Sequence, residues 1–182
     1  MRGLFFTQYL EMIERMFDLN TVDQILISMR SSDGAYTASA EYPAGDFIEL
    51  LHCSSRWTGL KIDDLGKLFG IEVMMYLYHR NPDMFEGYSS PFDCLEKLNL
   101  LLAESLDHLN PQQSNPEFDV RSENSVVIIT AKMNSCPIEV GRGMVSFIVS
   151  QLGGLSRRVA VEHSLAALVI REASMADQSS RM

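Results

Sequence analysis

The chain has 182 residues, 46% of them hydrophobic, enough to bury a sizeable core as one domain. With 15 Lys+Arg against 24 Asp+Glu its formal charge is −9, which argues against a nucleic-acid duplex or an anionic membrane surface as partner and fits a basic protein better. Three cysteines, Cys53, Cys94 and Cys136, form an odd, scattered set without C-x-x-C spacing, so neither a disulfide framework nor a zinc site is expected, and a reducing cytoplasm is the default location.

In chain order, Leu4, Phe5, Tyr9, Met12, Ile13 and Phe17 recur at three- and four-residue steps and predict an amphipathic helix over 2–18. No cleavage site follows this opening, and no run approaches about 18 uninterrupted apolar residues, so a soluble, unsecreted protein is expected. A second short helix, VDQILISMR, follows a cap at Thr21, and a third, FIELLHCSSRWTG, closes at Gly59 after the loop EYPAGD. The fourth, KIDDLGKLFGIEVMMYLYHR, carries Gly66 and Gly70 at a cost of about 1 kcal/mol each in a helix interior, which implies close approach of another helix. Ser90 as N-cap, Pro91 at the first helical position and Asp93 near the positive end of the dipole open a helix expected to continue to Asn110-Pro111. Its inward stripe comprises Phe92, Leu95, Asn99, Leu102, Leu106 and Leu109, with Ala103 on the same face.

The period then changes. FDVRSENSVVIITAKM alternates around a turn at 122–125 and reads as a β-hairpin. Pro137 opens the helical run IEVGRGMVSFIVSQL, ended by Gly153-Gly154, and RRVAVEHSLAALVIRE reads as two strands turning near His163-Ser164. Helices followed by strands predict an α+β fold with an antiparallel sheet and one crossing helix. One domain is expected over 1–174, helical to about 110 and sheet-forming over about 117–173, with a polar tail at 175–182.

No Gly-rich phosphate loop, G-x-S-x-G elbow or H-E-x-x-H occurs, so no catalytic residue and no enzyme activity are expected. His52, His79, His108 and His163 fall in four different elements, Asp63 and Asp64 suit a first-turn dipole role, and Met74, Met75 and Met144 suit core gaps. Cys53 and Cys94 read as buried structural thiols.

Several pieces lie in an informative order: Met1-Gly3, Tyr42-Pro43, Thr58-Gly59 with Asp64-Leu65 and Phe69-Gly70, Asn110-Pro111, and Pro116-Phe118. In this order they resemble the H-NOX domain, the heme nitric oxide/oxygen binding family, over nearly the whole chain. The resemblance implies the same helical-then-sheet fold. It also implies a heme ligand, a histidine on the helix ending at the Asn110-Pro111 position, and that place is Ala103. The family's Y-x-S-x-R motif, whose arginine clamps the heme propionates, maps by the same resemblance onto Ala131, Met133 and Ser135.

A methyl group cannot ligate iron, and no neighbour replaces it: His108 lies about 140° and Cys94 about 180° round the helix from Ala103, while an Asn99 amide is a poor ligand. His79 is the least excluded alternative metal ligand. Positions matching the family's pocket lining are Phe5, Tyr9, Val73, Leu77, Ala103, Val140 and Met144, an apolar set that either collapses into a filled core or leaves a cavity for an apolar small molecule. The expectation is a heme-free regulatory or ligand-binding module acting on a separate signalling protein, such as a histidine kinase or a cyclic-dinucleotide enzyme. No cofactor is expected; the alternative is a heme-binding NO/O2 sensor with a non-standard iron ligand.

Overall fold

A computed structural model describes residues 1–31, 34–107, 113, 115–123, 126–132, 136–152, 159–163 and 167–172, the side chains of 159–163, 171 and 172 excepted. The helices are α1 (Gly3–Met16), α2 (Leu19–Ser28), α3 (Ala44–Thr58), α4 (Ile62–Arg80), α5 (Pro91–Glu96), α6 (Leu98–Asp107) and α7 (Ile138–Leu152), with a 3-10 turn at Pro82–Phe85. The strands β1 (Phe118–Glu123), β2 (Val126–Ala131), β3 (Val159–His163) and β4 (Ala167–Glu172) form one antiparallel sheet in the order β1-β2-β4-β3. This is the expected α+β architecture.

Helix α1 buries Phe5, Phe6, Tyr9, Met12 and Ile13, the face that its three- and four-residue spacing predicts. These side chains enter an aromatic cluster in which the Tyr9 ring meets Phe47 and Phe69 edge-on at 5.4 and 5.2 Å. The chain start is stitched to the loop before α3: the Met1 ammonium donates to Tyr42 O at 2.8 Å, and Gly3 N donates to Ala40 O at 2.7 Å.

The two glycines of α4 mark a helix crossing, as anticipated, and α7 supplies a matching one, Gly143. A Cβ on Gly70 would stand 1.9 Å from Val140 O, and one on Gly143 would stand 2.0 Å from Lys67 O and 2.7 Å from Gly70 Cα. Backbone therefore touches backbone here, a separation that only glycine permits. On its other side α7 meets the sheet, where the Phe118 ring lies over Gly141. The sheet's inner face is set by register: Val127 pairs with Ile170 and Ile129 with Leu168, and all four are fully buried. Helix α7 is thus the crossing helix, wedged between α4 and the sheet.

Three local readings are corrected. Asp18, not Thr21, caps α2: its carboxylate accepts from Thr21 N at 2.7 Å, so the helix starts two residues before Thr21. Helix α3 begins at Ala44, because Asp46 N already donates to Pro43 O at 3.1 Å and Gly45 sits in the first turn without interrupting it. The single helix expected from 90 to 109 is two, broken at Lys97 (φ −105°, ψ 20°). The Ser90 cap stands, with Asp93 N donating to Ser90 Oγ at 3.2 Å. The break coincides with an outside contact: Asn99 Nδ2 donates to Phe118 O at 2.8 Å and Phe118 N donates to Asn99 Oδ1 at 2.9 Å. The side-chain amide imitates a neighbouring strand, so α6 takes its direction from β1 rather than from α5.

Candidate functional site

The pocket positions named from sequence fall on four helices, α1, α4, α6 and α7. Phe5 of α1 and Val73 and Leu77 of α4 are brought together and, with Leu106 of α6, line one crevice. Its internal volume is about 10 Å³, room for a single water at most. Tyr9 lies one layer deeper against Phe69, which also meets the Phe5 ring edge-on at 6.1 Å. Val140 and Met144 of α7 are fully buried, with Val140 O and Met144 N at the Gly70 contact. The apolar set is therefore a packed core around a small crevice.

Ala103 is not on the crevice wall. The buried stripe of α6 is Leu98, Leu101, Leu102, Ser105 and Leu106, and Ala103 stands at its flank, partly buried. The buried stripe keeps three- and four-residue steps across the break, through Phe92, Leu95, Leu98, Leu102 and Leu106, and Ala103 lies one position beside it. Leu106, one turn beyond Ala103, is the α6 side chain that enters the crevice. Its inward position is the one the sequence stripe predicts.

Arg2 is the residue that sequence reading missed. Its side chain is 1% exposed, and it grips the end of α6: Nη1 donates to Leu106 O at 3.0 Å, and Nη2 donates to Asp107 Oδ1 at 3.0 Å, to Gln113 O at 2.9 Å and to Asn115 Oδ1. A cation at a helix C-terminus satisfies orphan carbonyls and complements the dipole. Burial lowers the Arg2 pKa, while the Asp107 charge and hydrogen bond oppose that fall. Gln113 continues the network by donating to Ala40 O at 2.8 Å. Helix α6 is thus anchored at both ends, by Asn99 to β1 and by Arg2 to the chain start.

Of the remaining candidates, Ala131 is exposed at the end of β2, paired with Phe118. Met133, Ser135 and His108 lie outside the described residues, as does the His163 side chain. His79 is exposed in the last turn of α4 and does not line the crevice. Among the described residues no group of three or more His, Cys, Asp or Glu is placed to hold a metal ion. All three cysteines are buried; burial pushes the Cys94 thiol up to about 12 and raises Cys136 as well. Burial likewise raises the phenol of Tyr9, and the Ser54 hydroxyl beside it opposes that rise. No described helix is long and apolar enough to cross a membrane.

Comparison with known proteins gives a consistent picture. The model of the family described as Haem-NO-binding matches residues 2–130. No curated protein matches. The fold is similar to the crystal structure of the Fe(II) unliganded H-NOX protein from K. algicida, with 20% identity, 96% of this chain and 97% of that chain covered, and a TM-score of 0.77. It is also similar to the H-NOX protein from S. oneidensis in the Fe(II)NO state, at 13% identity, 96% and 100% coverage and a TM-score of 0.74. A third match is the H-NOX from Shewanella woodyi, at 20% identity, 95% coverage of each chain and a TM-score of 0.67.

Proposed function

Because the chain belongs to the Haem-NO-binding family, we propose that it is a heme-free H-NOX regulatory module, one that binds a signalling partner rather than sensing gas through iron. The observation that carries this reading is the joint state of α6 and the crevice. Where the family's ligand is expected, Ala103 offers a methyl at the flank of the helix, and the space in front of Leu106 is only about 10 Å³. A pocket for a ligand of drug size needs about 300–1,000 Å³. The residues present therefore do not fit heme: neither a donor to iron nor room for a macrocycle is supplied by Phe5, Val73, Leu77, Leu106 and Ala103. Ala131, at one of the propionate-clamp positions, brings no charge either.

With iron gone, the inputs left to the fold are contacts at its surface. Helix α6 is held by Asn99 and Arg2 and packs one side on the crevice, so it is the element whose two packings would report partner binding. A signalling protein such as a histidine kinase or a cyclic-dinucleotide enzyme is the partner class that the family suggests. An apolar small molecule would have to displace Leu106 to enter.

The test is a hemin titration of the purified chain followed by absorption, beside the variant Ala103→His. We expect no saturable Soret shift for either protein, because the variant restores a donor but not the volume. Opening the space with Ala103→His and Leu106→Ala together is expected to give measurable uptake. Stoichiometric uptake by the unmodified chain would overturn the proposal.

A further inference from the structure

A second concavity, separate from the crevice, runs along the outer face of α3. It is lined by Arg30 just after α2, by Ile48, Glu49, His52 and Arg56 of α3, and by Ile62 at the start of α4, and its volume is about 580 Å³. That size falls in the range of small-molecule sites. The α3 residues share one face because they recur at three- and four-residue steps.

The charge of this groove runs against that of the chain. On a chain of formal charge −9, the lining holds two arginines and a histidine against one carboxylate. That carboxylate is already engaged: Glu49 Oε1 accepts from Arg30 N at 2.9 Å and Oε2 from Ser31 N at 3.0 Å. Arg56 donates through Nη2 to Cys53 Sγ at 3.0 Å, a weak acceptor for a guanidinium. Among the described residues neither Arg30 nor Arg56 enters an ion pair within 4.0 Å. Both are exposed, and Ile48, 46% exposed, gives the groove an apolar wall beside them.

We propose that this groove binds a small soluble molecule carrying a dianionic phosphate beside an apolar group, with the Arg30 and Arg56 guanidinium forks on the phosphate and Ile48 and Ile62 on the apolar part. Guanidinium forks match phosphate oxygens in geometry and charge, and their hydrogen bonds to a dianion are of the strong, charge-assisted kind. A membrane surface does not suit a chain of this net charge, and the proposal does not depend on the state of the heme slot.

The experiment is an amide NMR titration of the full chain with phenyl phosphate, with inorganic phosphate, benzyl alcohol and a glutamate-rich peptide titrated in parallel. Phenyl phosphate is expected to give saturable shifts at Gly45, Glu49 and His52, and to bind more tightly than either the bare anion or the neutral ring. Arg30→Gln and Arg56→Gln should each weaken it about tenfold, with the thermal midpoint unchanged because both side chains are exposed. Absence of saturation, equal binding by the double variant, or tighter binding of the acidic peptide at the same amides would each overturn the assignment.

Discussion

Replacing Arg2 by methionine removes the clamp at the end of α6 while keeping a long apolar stem. Two buried carbonyl oxygens, Leu106 O and Gln113 O, lose their charged donor, and Asp107 loses its partner. Stranding buried acceptors costs about 1–3 kcal/mol each, and breaking a buried ion pair from one side costs about 3–5 kcal/mol. Asp107 is 47% exposed and can be rehydrated, and the desolvation of Arg2 is itself relieved, so the low end applies, about 3 kcal/mol. For a chain of this length that lowers the thermal midpoint by about 6–12 °C. Arg2→Lys, which keeps the charge but not the fork, should lose roughly half as much. Urea melts give the free energy, and hydrogen exchange should show faster opening of the amides at the end of α6 than of those in α4. A midpoint within about 2 °C of the parent for Arg2→Met would refute the clamp.

Gly143→Ala should destabilise by at least about 3 kcal/mol, since its Cβ would sit 2.0 Å from Lys67 O, whereas Gly45→Ala, with nothing within 4 Å, should stabilise by about 0.5 kcal/mol; paired thermal melts check both. Asp18, held down mainly by the Thr21 backbone amide, Asp93, held down mainly by Lys97, and Glu49, held down mainly by Ser31, all have folded pKa values below their ordinary ones. Their contribution is therefore present above about pH 4.3 and is lost as pH falls through the lowered values, which acid titration of the urea midpoint should show as a decline that begins near pH 4.3 and continues below it. The native protein should leave all three cysteines unmodified by a disulfide reagent at neutral pH, and denaturation should release all three, because Cys53, Cys94 and Cys136 are buried.

The elements were legible where local chemistry decides them. Ser90-Pro91 marks its helix start, Gly59 takes the left-handed conformation (φ 74°) that ends α3, and FDVRSE and VVIITA pair antiparallel as the expected hairpin, with Ser122 and Glu123 still in the strand rather than in the turn. Gly66 and Gly70 announced a close helix approach without naming the partner, since the matching Gly143 has no local reason to be linked to them. The break at Lys97 left no trace, as every residue from 92 to 107 is compatible with one helix, and the Asn99 bond that accompanies it reaches a strand nineteen residues on. Leu106, on the expected inward stripe, enters the crevice with Phe5, Val73 and Leu77, whereas Tyr9, Ala103, Val140 and Met144 do not line it. Arg2 was unreadable for a related reason: its acceptors lie 104 and 111 residues away, and nothing around it in sequence predicts its burial.

The chain's relation to iron is tested most directly by counting heme. Protein produced with an ample heme supply and purified without added ligand should be colourless, with a heme-to-chain ratio near zero by pyridine hemochrome assay. A ratio near one, with a Soret band that responds to nitric oxide, would contradict the heme-free account.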